Sequence, residues 1–328
     1  MKKYKHNTNR KPPGRLPLFP EPYPGESFYS VLCRYHVRSG NINGRHTIRQ
    51  LFGYNSSMGS TLLTPFHLEM AKYWMPDASD DHTETMIREN TAFTIYALGA
   101  FPYEIARIHK VCKGQKTTSS FPRHMQPRLA NHTGRIRFCP ECASEQQKIY
   151  GEPYWQVLFQ LDEVEYCPLH RIRVRTTPIS YKSIWNHFYP ASLVLGSHSS
   201  TSCEVDTVWD DLFSIEKNFF IRLSQNIAWL LQNGTHYEGF QKLRDSYARI
   251  NGKTSPVPNW YSISKRDIKK ALDPLSHDAK LYKYMEAKNP LQLRDDTVFV
   301  YYLKICSHIL LITALCSHPK VFYEGAPA

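Results

Sequence analysis

The sequence predicts a mainly α-helical protein with a small metal-organised unit at its centre, on three observations. Apolar residues recur at helical spacing through the first third and again beyond residue 200. Four soft ligands fall in two pairs, Cys139/Cys142 and Cys167/His170, with two residues between the members of each pair. Stretches rich in proline, glycine and small polar residues separate these regions. The expected layout is a basic flexible arm over 1–16, an N-terminal helical domain with a helix-turn-helix-like start over 17–115, and a basic linker over 116–135. A metal-binding domain over 136–202 and a C-terminal helical domain over 203–328 complete it.

The arm carries Lys2, Lys3, Lys5, Arg10, Lys11 and Arg15 with no acidic residue, and Pro12-Pro13-Gly14 blocks regular structure. Pro17 to Gly25 should be extended. A helix is expected from about Glu26, burying Phe28, Val31, Leu32 and Tyr35 and ending at Ser39-Gly40. A second covers Arg45 to Phe52, with Ile48, Leu51 and Phe52 inward and Gly53 closing it. Two short helices around a glycine-containing turn fit a helix-turn-helix. Arg34 and Arg38 share one helical face and Arg45 and Arg49 another, so both pairs are candidate phosphate contacts.

Thr64-Pro65 reads as an N-cap and first helical residue, with the helix running to Met75. Further helices are expected from Thr83 through Ile87, Ala92 and Ile95, and from Tyr103 to Lys113. Thr176 to Ser202 should be irregular or hold short strands. Helical periodicity returns over Val208 to Leu231, Tyr237 to Ile250, Lys265 to Leu272 and Thr297 to Cys316.

The chain of 328 residues has a formal net charge of +12, which points to a polyanionic partner. Between Ile105 and Pro140 there is no Asp or Glu, while Lys113, Lys116, Arg123, Arg128 and Arg135 add to the candidate DNA contacts. The longest apolar run, Ile305 to Leu315, falls short of the roughly 20 residues a membrane span needs. The polar, basic start lacks the apolar stretch of a signal peptide, so a cytoplasmic location without membrane contact is expected. In that reducing setting the eight cysteines read as metal ligands or buried thiols.

Cys139-Pro-Glu-Cys142 and Cys167-Pro-Leu-His170 each set two ligands on one tight turn, and together they complete a tetrahedral Cys₃His set. Three thiolates and one imidazole suit Zn²⁺. With all four positions filled by protein, one structural ion is expected and no catalytic residue. Cys306/His308 and Cys316/His318 are separated by one residue on a helical segment, which points their side chains apart, and they read as core and surface residues.

Two blocks carry a resemblance to a known family. Residues 16–40, LPLFPEPYPGESFYSVLCRYHVRSG, resemble the opening of the TniQ/TnsD family. Arg137-Phe-Cys-Pro-Glu-Cys142, Tyr150-Gly-Glu-Pro-Tyr-Trp155, Gln160-Leu161 and Cys167-Pro-Leu-His170 are similar to that family's zinc region. The resemblance covers about residues 16 to 190 and implies target-site selection in Tn7-like transposition by a protein that is not an enzyme. It implies binding of DNA or of a CRISPR effector complex (Cascade), recruitment of the AAA+ regulator TnsC, and zinc on Cys139, Cys142, Cys167 and His170. Phe159 stands where many members have histidine, and no further cysteine knuckle follows soon after the first. These departures and the modest length favour a TniQ-type adaptor over a TnsD that reads its own attachment sequence.

Two other classes share some of these features. One is a zinc-stabilised helix-turn-helix transcription regulator. The other is a zinc deaminase, with His67-Leu-Glu69 upstream of Cys139-Pro-Glu-Cys142. It is disfavoured because Phe138, not proline, precedes Cys139, and because Cys167 and His170 would be left without a role.

Overall fold

Ser27 starts the first helix, α1 (Phe28–Arg38): its Oγ accepts from the Ser30 N–H at 3.3 Å, which satisfies one of the donors a helix start leaves free. The computed structural model describes residues 14–53, 62, 68–75, 80–112, 134–185, 187–196, 214–252, 262–264, 297–299 and 305–325. Phe28, Val31, Leu32 and Tyr35 are buried on α1, the stripe that their spacing predicts. α2 (Gly44–Phe52) is capped by Asn43, whose Oδ1 accepts from the Arg45 N–H at 2.8 Å, and ends at Gly53 with φ 70°. Ile48, Leu51 and Phe52 point inward. A 3₁₀ turn (Leu68–Met70) leads into α3 (Ala71–Trp74). Trp74 is fully buried against Phe19, Phe28 and Phe52, and its Nε1–H donates to the Leu51 carbonyl at 2.9 Å. That single side chain ties α1, α2 and α3 together.

The helix expected from Thr83 to Ile95 is two helices, α4 (Asp80–Glu89) and α5 (Phe93–Ala97). Competing hydrogen bonds make the break. Asn90 gives its Nδ2–H to the Glu26 carbonyl and takes the Phe28 N–H on its own carbonyl, while Thr91 Oγ1 accepts from the Phe93 N–H. α6 (Pro102–Cys112) follows, with Pro102 in its first turn and Glu104 Oε2 accepting from the Phe101 N–H at 2.8 Å.

The central segment contains an antiparallel pair, β1 (Arg135–Phe138) and β2 (Arg175–Ser180), aligned Arg137↔Thr176 and Phe138↔Arg175 with an irregularity between Arg135 and Arg137. α7 (Pro140–Tyr150) lies between these strands, and α8 (Ala191–Gly196) follows them. Neither helix is expected from the sequence, where 139–142 reads as a simple turn and 176–202 as irregular or holding short strands, of which β2 is one. The C-terminal helices are α9 (Ser214–Asn233), α10 (Phe240–Ile250), α11 (Ile305–Cys316) and α12 (Pro319–Glu324). Asn226 on α9 donates to Thr313 Oγ1 at 2.8 Å and to the Ser317 carbonyl at 2.9 Å, locking α9 to α11. Gly239 adopts φ 105°, a conformation open to glycine, and its N–H reaches the Ala97 carbonyl at 2.9 Å. Phe240 N–H does the same to Ala100, so the C-terminal helices are bonded to the N-terminal ones. Buried apolar side chains from all these regions form one continuous cluster.

The last predicted helix is also corrected. Thr297–Phe299 is a strand, β4, paired antiparallel with β3 (Ser262–Ser264), and the helix begins at Ile305. The β-branched and aromatic run Thr297-Val298-Phe299 suits a pleated strand better than a helix turn. Thr64-Pro65, Lys265–Leu272, the start of the helix at Val208 and the arm up to Pro13 lie outside the described residues. Among the described residues no helix is long and apolar enough to cross a membrane.

Candidate metal centre

Both ligand pairs are placed by local backbone structure. Cys139 is the N-cap of α7, Pro140 stands in its first turn, and Cys142 lies one turn in. Proline suits that position because the missing N–H would have had no helical partner there. The first pair thus sits at a helix N-terminus, where the backbone dipole favours thiolates. The second pair sits at the tip of a tight hairpin. Cys167 N–H bonds the Ile172 carbonyl at 2.8 Å, Val174 N–H bonds Glu165 at 3.0 Å, and Tyr166 bridges to Arg173. Arg171 closes the turn in the left-handed region, φ 55°, with its N–H on the Cys167 carbonyl at 2.9 Å.

The four side chains converge. Cys142 Sγ and Cys167 Sγ are 3.6 Å apart, far beyond disulfide bonding distance. His170 Nδ1 lies 3.6 Å from Cys139 Sγ and 3.4 Å from the sulfurs of both Cys142 and Cys167. A zinc tetrahedron with bonds of about 2.3 Å to sulfur and about 2.0 Å to nitrogen has S–S edges of about 3.8 Å and S–N edges of about 3.5 Å. The observed spacings fit that ion to within a few tenths of an ångström. The cysteines are buried and the histidine is at the edge. Without a cation the cluster favours one thiolate and opposes the others: hydrogen bonds from the Cys139 and Cys142 thiols hold Cys167 well below its ordinary value. Contacts with the Cys139 and Cys167 sulfurs, reinforced by burial, push the Cys142 thiol far above the ordinary range. A divalent cation removes that conflict by binding all three as thiolates.

His170 turns Nδ1 inward and Nε2 outward to Glu145 Oε1 at 3.1 Å. A histidine bound to metal through Nδ1 carries its proton on Nε2, so the Glu145 carboxylate accepts it and fixes ring orientation and tautomer. The ligand set uses every tetrahedral position, so an ion here acts as a cross-link between β1/α7 and the hairpin and offers no open position. That arrangement also gives Cys167 and His170 the role that a deaminase reading would deny them. His67 and the Glu69 side chain lie outside the described residues.

Residues around the cluster hold it in the core. Gln160 mimics a strand partner: its Oε1 accepts from the Arg137 N–H at 3.1 Å, and its Nε2 donates to the Arg137 carbonyl at 2.8 Å. The buried Arg137 guanidinium donates to the carbonyls of Phe159 (2.9 Å) and Leu161. Residues 155–157 are bonded to 25–27 through an isolated antiparallel bridge. Ser27 N–H bonds the Trp155 carbonyl and Val157 N–H bonds Gly25, with Glu26 bridged to Gln156. Trp155 is fully buried, with its Nε1–H on the Tyr189 carbonyl at 2.6 Å. The Gln160-Leu161 and Tyr-Trp blocks of the family resemblance thus sit on the structural spine of the metal unit. Spacing alone gives no sign of the roles of Arg137, Glu145 and Glu152.

The candidate DNA contacts separate. Arg34 is withdrawn from them because it is buried. Its guanidinium bonds Glu26 Oε2 at 2.7 Å and Glu152 Oε1 at 2.9 Å and lies 3.6 Å above the Tyr23 ring. Arg38 is partly exposed but already bonds Glu152 at 3.0 Å. Arg45 and Arg49 are exposed on α2, and Arg135 is partly buried on β1. Lys113, Lys116, Arg123 and Arg128 lie outside the described residues. Of the other cysteine–histidine pairs, His308 is buried on Tyr247 Oη at 3.1 Å, and His318 caps α12 through Nδ1. Among the described residues only Cys139, Cys142, Cys167 and His170 form a metal-sized cluster.

A Cys₃His cluster that could hold a metal ion is pinned between a helix start and a hairpin tip inside a helical core. Residues 17–174, just under half of the chain, match the family model TniQ. The curated relative Transposon Tn7 transposition protein TnsD from Escherichia coli is 27% identical over 157 residues, covering 46% of this chain and 30% of that protein. The chain therefore matches less than a third of the length of that relative.

Proposed function

We propose that this chain is a non-catalytic target-site selection adaptor of Tn7-like transposition. It binds DNA, a CRISPR effector complex (Cascade), or both, and recruits the AAA+ regulator TnsC. The observation that carries the reading is the TniQ match over 17–174, which encloses α1, α2 and all four cluster ligands. The likeness to a Tn7 transposition protein supports the transposition setting.

In this reading Cys139, Cys142, Cys167 and His170 hold one Zn²⁺, whose role is to keep the α7 start and the hairpin in register. The ion does no chemistry on a substrate. Arg45 and Arg49 on α2, with Arg38, Lys113, Lys116, Arg123, Arg128 and Arg135, meet DNA phosphates, giving salt-dependent binding of low sequence selectivity. The site of action is cytoplasmic. Co-purification of the full chain with a TnsC-type AAA+ protein on target DNA tests the reading. A stable complex that needs the zinc-loaded chain supports it, and no association at any nucleotide state overturns it.

The α1–turn–α2 arrangement also favours a second reading, a zinc-stabilised helix-turn-helix transcription regulator. That protein would bind one operator sequence tightly and ignore the AAA+ partner.

A further inference from the structure

We infer a second nucleic-acid surface, on the β1–β2 sheet beside the metal hairpin, formed by Arg171, Arg175 and Lys182 and fitting the phosphate backbone of duplex DNA. The inference rests on the DNA-binding part of the proposed function but uses residues outside the α2 surface.

Residues 166–203 contain no Asp or Glu, as do residues 105–140. The fold joins these two acid-free stretches: β1 ends the first, β2 lies in the second, and they pair antiparallel with Phe138 opposite Arg175. Along 171–175 basic and apolar residues alternate. Ile172 and Val174 turn toward the core, while Arg171 and Arg175 are exposed and Arg173 packs 5.3 Å over the Tyr166 ring. Alternation on the extended backbone of 173–175 puts Arg173 and Arg175 on one face, about 6.6 Å apart at two residues per step, with Arg171 exposed at the turn that precedes them. Lys182, just past the end of β2, is exposed as well. Lys217 of α9 also reaches the Tyr166 ring, with its Nζ 6.0 Å from the centroid, adding positive charge beside Arg173.

Arg173 is committed to the fold through Glu165 at 3.7 Å. Neither Arg171 nor Arg175 forms an ion pair with another described residue. Arg171 adds a second indication. It occupies a left-handed backbone position that glycine or asparagine would fill with less strain. A long cationic side chain held there, exposed and unpacked, fits an external contact. Guanidinium groups bind phosphate oxygens bidentately, and exposed ones spaced along the chain track a backbone without reading bases.

The test is the salt dependence of full-length, zinc-loaded protein binding to two unrelated 30-base-pair DNA duplexes and to duplex RNA of equal length. Each phosphate contact adds about 0.9 to the slope of log K against log salt. R171Q/R175Q is expected to flatten the slope by about 2 and to weaken both DNA duplexes equally. Arg171 adjoins a metal ligand, so R175Q/K182Q serves as the second variant with the same expectation, and both must keep one zinc per chain. An unchanged slope in R175Q/K182Q, with a flattened slope in R45Q/R49Q, overturns this surface and leaves the α2 reading standing. A loss confined to RNA overturns the assignment to DNA. A wild-type chain that binds neither duplex overturns both readings.

Discussion

His170 presents Nδ1 to three sulfurs and Nε2 to Glu145 Oε1 at 3.1 Å, so an exposed carboxylate on α7 orients a ligand from the opposite hairpin. Outer partners of this kind commonly change metal affinity 10- to 100-fold. Glu145 is about half exposed, so E145Q is expected near the lower end, with about a 10-fold weaker zinc affinity. Competition with a chromophoric chelator measures it, and an unchanged zinc affinity would show that the pair contributes nothing.

Arg34 and Arg45 should fail in opposite ways. R34A leaves the fully buried Glu26 carboxylate without its cation and should cost about 3–5 kcal/mol in denaturant unfolding. R45Q/R49Q should leave unfolding nearly unchanged and flatten the salt dependence of DNA binding by about 2. Equal stability loss in both variants would contradict the division of the arginines into a buried brace and an exposed face.

Gln160 and Arg137 stand in for a missing strand, and Arg137 also satisfies the carbonyls of Phe159 and Leu161. R137A strands those groups in the core, and the expected loss is about 3 kcal/mol or more. R137K should recover little, because one ammonium cannot span the same acceptors in a plane. Unfolding of the zinc-loaded variants by urea provides the comparison.

Glu26 contributes a pH dependence. Burial raises its carboxyl from 4.5 to about 7, against the opposing pull of Arg34 and the Tyr23 N–H. Since the folded value lies above the unfolded one, the folded chain holds the extra proton between about 4.5 and 7. The contribution to stability is therefore full below that window and declines as pH rises through it. Zinc binding has the opposite trend, because acid protonates the thiolates. The difference in melting temperature between the wild type and E26Q isolates the Glu26 part. It should change between pH 4.5 and 7 and be flat above, whereas a constant difference across the window would refute the shift.

The clustering of Cys139, Cys142, Cys167 and His170 was legible because two pairs with two-residue gaps match the spacing of a tetrahedral site. The first two helices were legible through their caps and apolar stripes. α7 was missed because Cys139-Pro-Glu-Cys142 reads as a turn, although Pro140 at the start and Gly151 just past the end are the signals of a helix. The burial of Arg34 was not legible, because Glu152 lies 118 residues away and only folding brings them together. β4 shares that limit, since its partner Ser262–Ser264 lies far upstream. The break between α4 and α5 depends on Asn90 reaching Glu26, another contact between distant residues.

The central claim is that Cys139, Cys142, Cys167 and His170 clasp one zinc ion that holds the fold together. X-ray absorption at the zinc edge of the purified full chain tests it most directly. The expected spectrum shows one zinc per chain with three sulfur neighbours at about 2.3 Å and one nitrogen at about 2.0 Å. A folded chain with no zinc, or zinc bound by oxygen alone, would contradict it.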